Sequence, residues 1–299
     1  QNNLTRLIMK FELNKSTVMN LLKAPSIIVL FLWMIVPLSM TLYFSVIRYN
    51  LLSPMDNGFE GLGNYEFFMT DAAFMPAILN SLILVVSIIV VTIISGIILA
   101  VLIDRTFPGR GIVRVMLISP FFIMPTVNAL LWKNMFMNPV YGMFAFFSNT
   151  FGLEPIDWMS DYPLVSIIIM LSWQWTPFAL LIFMTALQSQ DQEQKEAAEL
   201  DGAGFFAKFY YLTLPHLSRS IAIVIMIEMI FHLSIFAEIL ITTGGGPGND
   251  GTNLTYMIFT NALLNFDVGI ASAGGVFAII LANIVAYFLI KQVGKSLMA

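Results

Sequence analysis

The sequence predicts an all-α polytopic membrane protein: six transmembrane helices with a polar cytoplasmic loop between the fourth and fifth. Three observations predict it. Of 299 residues, 58% are hydrophobic and only 11% are charged, whereas soluble domains carry about a quarter charged residues. Six stretches, near 26–47, 79–103, 113–133, 164–187, 220–241 and 268–290, reach the roughly 20 apolar residues that a helix needs to cross a bilayer. Twelve of the fourteen Lys and Arg fall on one side of the resulting topology.

Each span must satisfy its backbone polar groups internally, so each is expected to be helical. The first 25 residues carry Arg6, Lys10, Lys15 and Lys23. They resemble the basic flank of a signal peptide, but the apolar run that follows is too long and lacks a small-x-small cleavage site. It reads as an uncleaved first span, after a cytoplasmic N-terminal segment 1–25. Residues 26–290 form the transmembrane domain, and 291–299 a cytoplasmic tail. Pro37, Pro120, Pro125 and Pro177 fall inside spans, where prolines kink helices. The Phe-rich piece 143–153 is too short to cross and is expected as a helix in the interface.

Orientation follows from the basic residues. Beside the N-terminal four stand Arg105, Arg110 and Arg114, then Lys195, Lys208 and Arg219, then Lys291 and Lys295; only Arg48 and Lys133 lie opposite. Both termini and the 104–114 and 188–219 connections are therefore expected in the cytoplasm. The outer loops carry Asp56, Glu60, Glu66, Asp71, Glu154, Asp157, Asp161, Asp250 and Asp267.

Composition also excludes. A net charge of −4 gives no reason to expect nucleic-acid binding, and the absence of cysteine removes disulfides, thiolate metal sites and Cys nucleophiles. Only His216 and His232 exist, and no H-E-x-x-H occurs, which argues against a metal site or an intramembrane hydrolase. Gly294-Lys295-Ser296 mimics the end of a phosphate loop. Its first glycine would fall at Leu289, inside a membrane helix, so the chain is expected to bind neither ATP nor any other cofactor.

Residues 190–201, QDQEQKEAAELD, gather five acids and favour helix. Gly202 and Gly204 interrupt it, and FFAKFYYL follows as a second short helix ending near Pro215. Two helices about a Gly elbow make a cytoplasmic knob, with small Ala197 and Ala198 and an apolar side of Phe205, Phe206, Phe209 and Tyr210. An amphipathic linker resting on the bilayer is the alternative.

Within span five, Glu228, Phe231, His232 and Ile235 fall at i, i+3, i+4 and i+7, one helical face. Charges at that depth face the bundle or a water-filled cavity. A carboxylate, an imidazole and a ring on one stripe suit a polyhydroxylated ligand; a Glu–His pair tying the helix to a neighbour, or a proton relay in a secondary transporter, are the alternatives. Internal repeats, usual in secondary transporters, are not evident. Trp132, Trp173 and Tyr256 are expected as packing or interface anchors, Asn80, Asn128 and Asn283 as interhelical hydrogen-bond partners, and Glu238 as a snorkelling residue near the outer end.

The knob carries a resemblance. Glu196-Ala197-Ala198, three residues, Gly202, nine residues, then Leu212-x-Leu214-Pro215 resembles the EAA loop of ABC importer permeases, and Asp201-Gly202-Ala203 fits the D-G-A usual in sugar permeases. Arg114, Pro120, Pro125 and Trp132 follow the family's spacing in the third span. Trp173-x3-Pro177-Phe178 is similar to its fourth-span motif. TTGGGP at 242–247 resembles the loop after span five in the first-permease branch of the maltose-type importers. The resemblance covers nearly the whole chain. It implies a permease subunit in a prokaryotic cytoplasmic membrane, paired with a second permease and seated on two cytoplasmic ATPases that hold ATP and Mg. A soluble binding protein delivers a sugar or sugar alcohol to the outer face. In this family the EAA loop, here 188–217, enters an ATPase groove. Glu196, Ala197, Ala198, Asp201 and Gly202 would form the contact and bend, and Leu212, Leu214 and Pro215 would anchor it to span five. Family sugar contacts land on Gln174, Trp175, Phe178, Glu228, Phe231, His232 and Ile235. The sequence departs from the family example at three of these: Glu228 and His232 replace a smaller hydroxyl and an amide, and Trp175 replaces glycine. The larger Trp175 narrows the cavity and favours a ligand smaller than maltose.

Overall fold

The computed structural model describes the backbone of residues 15–298 apart from Pro54 and Asp56, and side chains within 19–287 and at Lys291. Arg6, Lys10 and Asp56 therefore lie outside the described residues, as do the side chains of Lys15, Lys295 and Ser296. Among the described residues five helices are long and apolar enough to cross a membrane, and a pair bent by 105°, Arg110–Phe122 with Pro125–Phe136, makes a sixth if counted as one span.

The first helix, α1 (Lys15–Ser45), starts inside the expected N-terminal segment and leads to a minimal hairpin, β1 (Ile47–Arg48) against β2 (Gly58–Phe59). The hairpin is closed by Arg48, which donates to both carboxylate oxygens of Glu60 at 3.0 and 3.1 Å. Helix α2 (Gly63–Thr70) precedes the second span, α3 (Phe74–Asp104). The third span opens with α4 (Arg110–Ile118) and a 3-10 turn (Ser119–Phe122), and resumes as α5 (Pro125–Leu131) with a π-turn to Phe136. The short helices α6 (Met143–Thr150) and α7 (Trp158–Asp161) follow, then the fourth span, α8 (Pro163–Gln188). Beyond it stand α9 (Gln192–Leu200), α10 (Phe205–Lys208), a π-turn (Phe209–Thr213), α11 (Leu214–His232) and α12 (Ala237–Ile241). The last elements are α13 (Leu254–Phe259), with its own π-turn, and α14 (Val268–Met298).

Helices α3 and α8 form the centre and run against each other along most of their length. Gly96 permits this contact, since a Cβ there would meet the Cβ of Ala179 at 2.8 Å; small residues let membrane helices approach closely. The inner end of the pair packs around Ala100, Leu180, Phe183 and Leu217, the outer end around Leu84, Ile88, Trp132 and Ile167. Trp132 and Trp173 meet edge to face at 5.7 Å, and Tyr256 stacks on Phe259 at 6.0 Å. All three therefore pack inside the bundle. Helix α1 touches α14 along one flank and leaves the rest of its apolar surface, including Trp33 at 81% exposure, uncovered.

Three expectations need correction. The third span is not one kinked helix: Ile123 and Met124 are extended between its halves. A residue before proline is pushed out of the helical region, and Pro125 does this to Met124. The fifth span is not one helix over 220–241 either. It is continuous from Phe205 to His232, so FFAKFYYL does not end near Pro215; the wide π-turn just before the proline absorbs its missing donor. It then stops at His232, and Ile235 lies in the break before α12. The carbonyls freed there are taken up by neighbours: Asn253 Nδ2 donates to Ile235 O at 2.6 Å and Thr255 Oγ1 to Leu233 O at 2.7 Å, the re-satisfaction that a broken helix needs in lipid. Finally, of the three asparagines only Asn128 joins two spans. Asn80 binds loop carbonyls, and Asn283 binds Ile279 O in its own helix at 2.8 Å.

Candidate functional site: an aromatic cavity and an exposed knob

Both broken spans open onto one cavity of about 630 Å³. Its wall comes from Phe121, Ile123 and Pro125 of the third span, from Leu171, Gln174, Trp175 and Phe178 of α8, and from Ile227, Phe231 and His232 of α11. Residues 234–238, from Ser234 in the break to Glu238 in α12, complete it. Trp175 is the hub. Its ring lies 5.7 Å from Phe121, 5.8 Å from Phe178, 5.1 Å from Phe231 and 5.0 Å from the His232 imidazole. Phe121 stacks on Phe178 at 5.8 Å. A wall of rings with few polar groups presents apolar faces to a sugar's C–H surface.

Six of the seven residues expected at the ligand line this cavity: Gln174, Trp175, Phe178, Phe231, His232 and Ile235. Ile235 reaches it from the break rather than from a helical stripe. Glu228 does not line it. It is fully buried, and its Oε2 accepts from Thr92 Oγ1 of α3 at 2.6 Å and sits 3.6 Å from His232 Nε2. One carboxylate thus links α11 to α3 and backs the imidazole, the tying role of the two alternatives raised above. Gln174 is also partly committed, since Asn128 Nδ2 donates to its Oε1 at 2.8 Å and its Nε2 donates to Ile123 O at 2.7 Å. It pins the broken third span to α8.

Nine of the fifteen lining residues were not expected at the ligand, Phe121, Ile123 and Glu238 among them. Pro120 and Pro125 signal a break that brings the first two inward. Glu238, expected to snorkel, is instead 7% exposed in the first turn of α12. What places it there is the stop at His232, for which the apolar run gives no sign.

Beside the cavity, the TTGGGP loop and the residues that follow it are tied to α3 and α13. Asn80 Nδ2 lies 3.1, 3.1 and 2.9 Å from the carbonyls of Asn249, Asp250 and Thr252. Gly245 has φ +84, and a Cβ there would meet Tyr256 at 2.6 Å and Thr252 Oγ1 at 2.7 Å, so close approach and backbone both require glycine. Lys133 Nζ donates to Ile241 O and Thr242 O, both at 2.9 Å, closing the C-terminus of α12.

At the other end stands the knob. Asp191 caps α9, its Oδ1 accepting from Glu193 N at 2.9 Å. The helix ends in a Schellman arrangement: Gly202 has φ +76, Gly202 N donates to Glu199 O at 3.0 Å, and Ala203 N to Ala198 O at 2.9 Å. Glycine is needed for that backbone alone, because a Cβ would find open space. Glu196, Ala197, Asp201 and Gly202 are exposed, Ala198 is half-buried, and Leu200 and Phe206 reach 89% and 83% exposure. The inner side of the knob is fastened. Lys208 Nζ meets Glu199 at 2.8 Å, Lys195 lies 3.9 Å from Asp104 at the end of α3, and Arg105 sits 5.7 Å over the Phe205 ring. The Lys208 hydrogen bond, with its charge second, holds the Glu199 carboxyl below its usual range. Leu214 packs on the inner core beside Leu217, Leu212 lines a small cavity under the knob, and Pro215 stands exposed in the first turn of α11.

The chain is 36% identical over 251 residues, 83% of its own length and 81% of the relative's, to a probable ABC transporter permease protein, y4oQ, of Sinorhizobium fredii. It is 28% identical over 290 residues, 96% of each chain, to the trehalose/maltose transport system permease protein MalF of Thermococcus litoralis. Its fold matches a chain of a bacterial ABC transporter that imports the acidic polysaccharide alginate, with a TM-score of 0.79 over 97% of this chain and 99% of that one at 20% identity. The family described as the binding-protein-dependent transport system inner membrane component matches residues 72–298, and the chain belongs to that family of membrane permeases.

Proposed function

We propose that this chain is the permease subunit of an ATP-driven importer for a sugar or sugar alcohol. The observation that carries the substrate class is the cavity: Trp175, Phe178 and Phe231 supply ring faces and His232 and Gln174 supply hydrogen-bonding edges within one wall of about 630 Å³. The relatives named for trehalose and maltose transport support the same reading. The coupling role falls to the knob, where Glu196, Ala197, Ala198, Asp201 and Gly202 present a surface to an ATPase, and Leu212, Leu214 and Pro215 join it to α11. Because α10, the π-turn and α11 are one continuous rod from Phe205 to His232, a displacement of the knob reaches the cavity wall directly. ATP and Mg belong to two partner ATPases on the cytoplasmic side, which is the side of both termini. A second permease covers the open side of the cavity, and an external binding protein delivers the ligand. Alternating access then follows from knob motion.

The proton-coupled alternative loses its main support, since Glu228 is sealed against α3 and outside the cavity. The test is reconstitution of the chain with its permease partner, ATPases and binding protein in proteoliposomes. Sugar uptake should require ATP and ignore an uncoupler. Uptake without ATP that an uncoupler abolishes would overturn the reading.

A further inference from the structure

Among the described residues the Glu238 side chain ties no two elements together. Its residue is 7% exposed and lines the cavity. Among the described residues its carboxylate meets its own backbone N–H, with no hydrogen bond or ion pair to another side chain. No Lys or Arg lines the cavity. Lys133, which reaches the other end of the same short helix, is committed to the carbonyls of Ile241 and Thr242. A carboxylate at such depth is costly without a counter-charge. The cavity that lacks a cation also carries five aromatic rings, Phe121, Trp175, Phe178, Phe231 and Phe236. Ring faces attract an ammonium group, more strongly when it is desolvated.

We propose that the cavity takes a carbohydrate bearing a protonated amino group, its ammonium paired with the Glu238 carboxylate against the aromatic wall. The hydroxyls of the same ligand meet His232 and Gln174. This rests on the reading of the cavity as the substrate site and sharpens it. A neutral sugar leaves Glu238 desolvated and unpaired, while an acidic sugar sets two like charges together, so the cavity ranks ligands by charge as well as by shape. A charge-assisted hydrogen bond is about twice as strong as a neutral one, so the amino group should be worth about tenfold in affinity.

The experiment uses the complete transporter, this chain with its permease partner and ATPases, purified without the binding protein. Glucosamine, glucose and glucuronate, matched in size, are titrated at a pH that keeps the amine protonated. Glucosamine should bind about tenfold more tightly than glucose, and glucuronate should not bind. Glu238→Gln should bring glucosamine down to the level of glucose, whereas Glu238→Asp, which keeps the charge, should retain part of the preference. Equal binding of glucosamine and glucose to the unaltered transporter, or a preference that survives Glu238→Gln, overturns the proposal and leaves the cavity a neutral-sugar site. Glucosamine binding that sodium chloride displaces with glucose binding unchanged supports the proposal. A transporter that binds none of the three sugars overturns the proposal together with the reading of the cavity itself.

Discussion

The two polar regions of this apolar chain are built on opposite plans. Around the cavity, most polar groups other than Glu238 find partners inside the chain: Thr92 on Glu228, Asn128 on Gln174, Asn80 on three loop carbonyls. In the knob, the inner side is fastened by ion pairs while Glu196, Ala197, Asp201, Leu200 and Phe206 stand exposed. The difference follows from solvent. Within lipid an unpartnered polar group costs free energy that nothing outside the bundle repays, so the chain satisfies its own. In water an exposed polar and apolar surface costs little until a partner covers it. Substitutions in the first region should therefore change stability, and substitutions in the second should change communication between chains.

The largest effect is expected in the knob. Gly202→Val forces a β-branched residue to φ +76, where such residues are outliers. Since its Cβ meets nothing, only the bend is lost. Sugar uptake by the assembled transporter should fall by more than about tenfold while ATP hydrolysis continues. Gly202→Asn, which tolerates that backbone region, should retain most uptake. Glu196→Lys changes no internal contact except the one from Gln192 at 3.1 Å and should also uncouple hydrolysis from uptake. Coupling that survives both Gly202→Val and Glu196→Lys would break the contrast, because the knob would then be a solvated linker.

Next in size is the buried tie. Glu228→Ala removes the acceptor of Thr92 and the group behind His232. The Thr92 hydroxyl can turn to Ile89 O at 3.0 Å, so what is lost is the hydrogen bond between α11 and α3 and the packing of the side chain, about 1–3 kcal/mol, which should appear as a lower unfolding temperature of the purified complex. Glu228→Gln keeps an acceptor for Thr92 and should recover most of it. A smaller loss follows Asn80→Ala, about 0.5–1.5 kcal/mol, confined to faster hydrogen exchange across 242–253. If Asn80→Ala left that loop fully protected, Gly245 and Thr252 alone would hold it.

Much of this was legible in the residues. The Gly202 elbow, the helix over QEQKEAAEL, and the shared face of Phe231 and His232 follow from glycine chemistry, helix propensity and 3.6-residue spacing, whereas Trp175 and Phe178 are placed beside them only by the family resemblance. What the sequence hid are the two breaks. Pro120 and Pro125 announce a disturbance in the third span but not a 105° bend, which depends on Gln174 and Asn128 bridging the gap. The stop at His232 is not announced at all. It is set by Asn253 and Thr255, some twenty residues later in the chain, and it carries Glu238 inward and turns Ile235 off the stripe. Glu228 shows the limit of a helical-face argument: it and His232 are neighbours on α11, yet the carboxylate points to α3 while the imidazole edges the cavity.

The smallest effect tests the fastening of the knob. Lys208 donates to Glu199 at 2.8 Å and lowers that carboxyl below its usual value. A carboxylate whose folded-state value is depressed adds stability above its unfolded value, near 4.5, and that stability disappears as pH falls through the depressed folded value. The knob should therefore keep its order from neutral pH down to about pH 4.5 and loosen below it, read by a fluorophore on Leu200 after Leu200→Cys. The pair is exposed, so salt should blunt the change, and Glu199→Gln should remove it. Loosening that persists in Glu199→Gln would show that the Lys208–Glu199 pair is not the main fastening, leaving Asp104, which faces Lys195 and Arg110 at 3.9 Å each. In that case the knob would be held chiefly to the end of α3 rather than to its own second helix, and the motion it transmits would enter the bundle through α3 as well as through α11.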